Sequence, residues 1–137
     1  MAKPDKFALD LTALTVKYKG RLDAVVRKVV LDLGTRIILR SPVKTGRFRA
    51  NWQYGLGAPP EGTTLEVDKS GAATLRTLTR SVVQQDAAGK IHWLTNNLPY
   101  AVRLEYGWSK QAPAGMVGVT VREYQRVVRD AAKAVGT

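Results

Sequence analysis

Apolar residues spaced by three and four run through the first third of the chain: Leu22, Val25, Val26, Val29, Leu33 and Ile37, with Arg21, Arg27, Lys28, Asp32 and Arg36 on the other faces. That spacing predicts an amphipathic helix over 22–39 whose apolar face lies in a core. Pro42 disfavours helical geometry at Ser41, so the helix is expected to stop near Arg40. At 1.5 Å per residue it would be ~27 Å long, enough to cross a small domain. A chain of 137 residues has room for one domain, 1–137, built around such a helix. Folding at this size removes about two thirds of the unfolded surface from water, so one core can hold without covalent staples.

After the turn-rich stretch 41–46 the period changes. Phe48, Ala50, Trp52, Tyr54 and Leu56 alternate with Arg47, Arg49, Asn51 and Gln53, which predicts a half-buried strand over 48–56. Gly57-Ala58-Pro59-Pro60-Glu61-Gly62 cannot continue it, and 57–71 is expected as an exposed loop. Leu75, Leu78, Val82 and Val83 predict a helix over 72–88, weakened by Thr74, Thr77, Thr79 and Ser81 and closed by Gly89. A short strand over 91–94 should lead into a Thr95-Asn96-Asn97 turn. Pro99 fits the first turn of a short helix over 100–106 that Gly107 ends. Pro113 can open the last helix, with Val117, Val121, Tyr124, Val128, Ala131 and Val135 as its apolar stripe.

Residues 1–20 read two ways, since Phe7, Leu9 and Leu11 alternate while Phe7, Leu11, Leu14 and Tyr18 keep helical spacing. The reading adopted is an N-terminal arm or a helix beginning after Asp10 as N-cap. The expected architecture is an α+β single domain of about four helices: a long N-terminal helix, a small antiparallel sheet and a C-terminal amphipathic helix.

The chain has no cysteine and one histidine, His92, which excludes a disulfide framework, thiol catalysis and zinc sites of the usual kinds. No P-loop, HExxH or GxSxG spacing occurs, and Gly55-Leu56-Gly57 precedes two prolines, so it cannot open a helix onto a pyrophosphate. His92 and Glu105 are the residues a general-base reading would use, but nothing places a second group beside either. The expectation is no enzyme, no cofactor, no metal and no small-molecule substrate. No apolar run suggests a signal peptide or a membrane span.

Charge is the positive signal. Lys and Arg number 22 against 11 Asp and Glu, a net +11. The excess is concentrated before Asn51, where 12 basic residues face 4 acidic ones. Such a surface attracts polyanions or acidic proteins.

Two segments stand apart from generic core and surface. Ser41-Pro42-Val43-Lys44-Thr45-Gly46-Arg47-Phe48-Arg49-Ala50-Asn51-Trp52 joins a helix stop, a glycine turn and an aromatic strand. The second runs from Asn96 through Tyr100-Ala101, Glu105 and Gly107-Trp108 to Gln111-Ala112-Pro113-Ala114-Gly115-Met116. Together they resemble the neck and tail-completion family of long-tailed bacteriophages, also called minor tail components or head-tail joining proteins. Members tend to show a Pro-Val-x-Thr-Gly-Arg turn after the first long helix and then an Asn-Trp strand. An Asn-x-x-x-Tyr-Ala-x-x-x-Glu-x-Gly stretch follows, before a Gln-Ala-Pro-x-Gly-Met turn and a final helix. The residues that carry the resemblance are Pro42, Thr45, Gly46, Asn51, Trp52, Asn96, Tyr100, Glu105, Gly107, Pro113 and Gly115.

The resemblance implies a structural virion protein, assembled in the host bacterial cytoplasm and placed at the head-tail junction around the DNA channel. Its implied partners are further copies of itself in a ring, sixfold favoured, and neighbouring connector, tail-terminator or tail-tube proteins. DNA passes through the channel, and no membrane is involved. The candidate interface residues are Lys44, Arg47, Arg49, Arg103, Trp108 and Lys110, and the 57–71 loop is a candidate arm toward a neighbour. The alternative function is a basic nucleic-acid-binding module in which the first helix and Lys44 to Arg49 contact phosphates.

Overall fold

The computed structural model of the protein describes residues 6–10, 22–84 and 86–136. The long helix forms as its stripe predicts, as α1 (Leu22–Arg40), with Val25, Val26, Val29, Val30, Leu33, Ile37 and Ile38 buried. α1 is the spine of the domain. On one side it packs against α6 (Tyr124–Val135), on another against α3 (Ala72–Val83), and α3 in turn meets β2 (Trp52–Leu56). Gly34 lets α1 and α3 approach closely, since a Cβ there would sit 2.6 Å from a Leu78 methyl.

The sheet has three antiparallel strands in the order β1-β3-β2. Its central strand is β3 (Ile91–Asn96), paired with β2 from Trp52↔Asn96 to Leu56↔His92. On its other side β3 pairs with β1 (Lys6–Asp10), from Lys6↔Thr95 to Asp10↔Ile91. Lys6–Asp10 thus takes the alternating reading of the N-terminal segment, whereas the helix expected after Asp10 lies outside the described residues. The α+β class, the long helix and the antiparallel sheet stand as expected, and the described residues contain six helical segments.

Five elements have bounds that differ from the sequence reading. The strand expected over 48–56 begins only at Trp52, because Arg47–Ala50 forms a helical turn, α2. Gly46, at φ 93°, reverses the chain, and its carbonyl accepts from Ala50 N. Phe48 and Trp52 satisfy both alternation and helical i,i+4 spacing, and they meet edge-to-face with centroids 5.8 Å apart. The helix expected over 72–88 stops at Val83, after which Gln84-Gln85-Asp86 offers no apolar face. There the chain is drawn back to the start of α1, where Asp23 Oδ1 accepts from Ala88 N at 2.7 Å.

The strand expected to end at Leu94 runs to Asn96, because Thr95 pairs with both neighbouring strands and Asn96 with Trp52 of β2, both buried, instead of forming a turn. The short helix expected over 100–106 is α4 (Ala101–Glu105), ended by Gly107 at φ 87°. The last helix starts at Val117, not Pro113, and breaks into α5 (Val117–Val121) and α6 at Arg122 and Glu123. That break turns Val121 to solvent and brings Thr120 and Val127 into the core in its place.

Gly46 occupies a conformation that only glycine adopts without strain. A Cβ there would also lie 2.6 Å from Lys69 N and 2.7 Å from Asp68 N, both backbone atoms that cannot swing aside. Gly46→Val is therefore expected to destabilise by well over the ~1 kcal/mol of a backbone-entropy change. A urea midpoint equal to that of the wild type would show the turn to be permissive.

Candidate interaction surface

The two singled-out segments, far apart in sequence, are bound into one unit. α1 ends where Ser41 Oγ donates to Ile37 O at 2.8 Å and accepts from Trp52 Nε1 at 2.8 Å. One residue past Pro42, the Gln111 side chain grips Val43 at both backbone groups: Val43 N donates to Oε1 at 2.8 Å and Nε2 donates to Val43 O at 2.9 Å. Asn51, fully buried, donates from Nδ2 to Arg47 O and Thr64 O and accepts from Thr64 N. Asn96, also fully buried, donates to Phe48 O at 2.8 Å and accepts from Leu98 N. Each asparagine, itself buried, finds its partners on the main chain and so ties separate stretches of backbone together.

Glu105 closes the second segment. Its carboxylate accepts from the amides of Met116, Val117 and Gly118 at 3.0, 2.9 and 3.0 Å. These belong to the unpaired first turn of α5, so Glu105 acts as its cap from eleven or more positions away. Gly115, at φ 79°, leaves the space: a Cβ there would run into Glu105 O and lie 2.7 Å from Oε2. Gly107 is placed likewise, since a Cβ on it would meet Pro113 O at 2.5 Å. The general-base reading of Glu105 has no place in this arrangement.

His92 is also committed to the fold. It is buried, with Nε2 at 2.9 Å from Ala87 O and Nδ1 at 2.7 Å from Tyr54 OH. A carbonyl only accepts, so Nε2 carries the proton and the tyrosine donates to Nδ1. Burial, aided by the charge of Lys90, lowers the imidazole's pKa, and burial pushes the Tyr54 phenol up to about 12, so both stay neutral. Gly55 lies in β2 and Gly57 in the turn that follows it, and a Cβ on Gly55 would strike Ala58 O. Among the described residues no group of His, Cys, Asp or Glu could hold a metal ion, and no helix is long and apolar enough to cross a membrane.

The six candidate interface residues divide in two. Arg49 is a clamp: Nε donates to Ser41 O at 3.1 Å, Nη1 to Lys69 O at 2.8 Å and Nη2 to Leu39 O at 2.8 Å. It thereby satisfies carbonyls left open at the C-terminus of α1. Arg47 Nε donates to Thr64 O at 3.2 Å. The expectation that both arginines lie on the polar side of a strand is thus corrected. They stand on α2 and tie it to the loop and helix around it, so replacing both by glutamate would disturb the fold as well as any interface.

Lys44, Arg103, Trp108 and Lys110 are exposed; Lys44 and Trp108 line one groove, Arg103 lies over Trp108, and Lys110 follows the lining residue Ser109 in the chain. The lining of this groove includes Pro42, Val43, Phe48, Tyr100, Leu104 and Trp108. Trp108 is 71% exposed, and the Arg103 guanidinium lies over its ring, 5.1 Å from the centroid. Tyr106, two residues before Trp108 in the chain, is 68% exposed. Ser41 and Tyr106 are functional positions that the sequence reading does not single out, and it gives Gln111 only as the start of the Gln-Ala-Pro-x-Gly-Met turn. They lie inside the two segments, but neither period nor spacing reveals a side chain that bonds 68 positions away.

The 57–71 loop has no helix or strand, and Leu65, 83% exposed, and Val67 project from it. It is pinned at several points: Pro60 O and Gly62 O accept from Asn97 Nδ2, and Asp68 N donates to Gly46 O. Asp68 in turn caps α3 through Thr74 N and Oγ1. Burial pushes its carboxyl up, but the bonds from Thr74, Gly71 and Ala73 outweigh this and leave its pKa lowered.

Charge also stitches the two long helices together. Glu123 accepts from Arg40 at 2.5 and 3.0 Å and pairs with Arg36 at 3.2 Å and Arg126 at 3.0 Å. The Arg40 bonds foremost, then those from Arg36, hold its pKa down to about 2 from an ordinary 4.5. Because this folded-state value is depressed, the contribution is complete above pH 4.5 and is lost as pH falls from 4.5 toward 2. The lowered His92 pKa acts in the same direction, beginning below pH 6.5. Melting temperature is expected to fall on acidification in both ranges, and Glu123→Gln should flatten the lower one. An equally steep acid limb in that variant would refute the assignment. No family model, curated protein or solved structure matches this chain.

Proposed function

We propose that this protein is a structural component of the phage head-tail junction, forming or completing a ring between tail and connector around the DNA channel. The observation that carries the reading is the joining of the two family-like segments: Gln111 grips Val43, and Glu105 caps α5 across the second segment. The resemblance therefore falls on one folded unit with a shared surface, on which Lys44, Arg103, Trp108 and Lys110 stand exposed. Surfaces rich in Trp, Tyr and Arg are those that protein partners use as anchors.

The test is to add the purified chain to tails assembled without it and to image them in negative stain. Added density at the head-proximal end, with infectivity restored on mixing with filled heads, is expected. A stable twofold dimer in light scattering that leaves tails unchanged would overturn the proposal.

The net charge of +11 supports a second reading, a nucleic-acid-binding module. A binder with six or more phosphate contacts should lose roughly a thousandfold in affinity between 50 and 200 mM salt. Tight, steeply salt-dependent duplex binding without tail docking would favour that module over the junction protein.

A further inference from the structure

We infer that the groove beside Trp108 binds an acidic segment of a partner protein that carries an apolar anchor residue. The inference rests on the junction reading and adds the chemistry of the partner to it. The lining is apolar in Pro42, Val43, Phe48 and Leu104, and among the described residues its charged members are Lys44 and Arg47, with no carboxylate. The Arg103 guanidinium lies over the ring of the lining residue Trp108, and Lys110, exposed, stands in the chain between the lining residues Ser109 and Gln111, which adds cations beside an apolar trough. A segment with carboxylates at its edges and one aliphatic or aromatic side chain pointing down matches this pattern in both charge and polarity.

The trough is also held ready. Gly107 is locked against Pro113 O, Trp108 N donates to Arg103 O at 3.2 Å, and Gln111 fastens the segment to Val43. An exposed tryptophan on a fixed backbone loses little freedom when a partner covers it, as interface anchors require.

Single-stranded nucleic acid also uses aromatic and basic residues, but two features favour protein. The Arg103 guanidinium already lies over the indole on which a base would stack. Of the arginines on α2, Arg49 spends its donors on the carbonyls of Ser41, Lys69 and Leu39 and does not line the trough, and Arg47, which does, holds its Nε on Thr64 O, so the two do not extend the trough as a cationic track.

The experiment uses the full chain and two fluorescein-labelled probes: a 12-residue peptide alternating Asp or Glu with Leu or Phe, and a 12-nucleotide oligo(dT). Fluorescence anisotropy is read at 150 mM salt. The peptide is expected to bind in the micromolar range, with Trp108→Ala and the double variant Lys44→Glu/Lys110→Glu each weakening it at least tenfold. Arg129→Glu, on the exposed face of α6, should change it less than twofold. Circular dichroism should be unchanged in all three, since each altered side chain is exposed. Absence of saturable peptide binding, or equal loss in Arg129→Glu and Trp108→Ala, would overturn the inference. So would oligo(dT) binding that is tighter than the peptide's and sensitive to Trp108→Ala, which assigns the groove to nucleic acid. The two readings fail separately. Peptide binding lost in Trp108→Ala, together with wild-type chain that does not dock on tails, removes the junction and keeps the groove. Tail docking that Trp108→Ala leaves intact does the reverse.

Discussion

Replacing Trp52 with alanine is expected to cost ~3–5 kcal/mol of folding stability, the range for emptying a large aromatic from a core that cannot collapse around the hole. The residue is buried at the point where α1 ends and the sheet begins, against Phe48 on one side and Ser41 on the other. For a domain of this size the loss corresponds to a melting point roughly 10–15 °C lower. Trp52→Phe keeps most of the volume and loses only the indole donor to Ser41 Oγ, which still has Ile37 O to bond, so it should cost less than half as much. Urea unfolding of both variants decides the matter: a cost below ~1 kcal/mol for alanine would mean that the α1–β2 junction is not part of the core.

The second large effect is expected at Glu105. Its carboxylate answers three backbone amides at the start of α5, and hydrogen bonds to a charged group contribute ~1.5–3 kcal/mol each when counted singly. Water can reach a partly exposed site and the bonds share one carboxylate, so the expected cost of Glu105→Ala is about 3 kcal/mol in total. Glu105→Gln should be intermediate, because it keeps one acceptor oxygen and turns an amide donor toward the backbone N–H groups. Hydrogen exchange gives the readout specific to the cap: the amides of Met116, Val117 and Gly118 should lose protection in the alanine variant before the α1 core does. Unchanged exchange at those three amides would show that α5 does not depend on the carboxylate. Because Glu105 and Trp108 belong to the same turn, the alanine variant should also loosen the proposed groove and weaken docking more than its stability loss alone explains.

What could be read from the sequence alone was the part governed by short-range periodicity. The stripe from Leu22 to Ile37 determines α1 because every apolar contact it needs is repeated within four residues along the chain. Pro42 sets the helix end, and Gly46 and Gly107 set two turns, because steric limits on φ act within one residue. The absence of cysteine and the single histidine exclude disulfide, thiol and ordinary zinc chemistry on composition alone.

Elsewhere local pattern was ambiguous or silent, and tertiary contacts decided. Phe48 and Trp52 fit a strand and a helical turn equally well by spacing, and α2 forms because the Gly46 carbonyl and buried Asn51 capture its backbone. Arg47 and Arg49 alternate with apolar residues as surface arginines would, yet their donors reach carbonyls on α1 and the 57–71 loop. The final stripe of valines is continuous in sequence, but Glu105 fixes where its helix begins and Glu123, held by Arg36 and Arg40, sits where it breaks. The physical difference is range. Periodicity reports which side of an element is apolar, whereas a polar side chain's partner is chosen by whichever unpaired backbone group the folded chain brings within 3 Å of it.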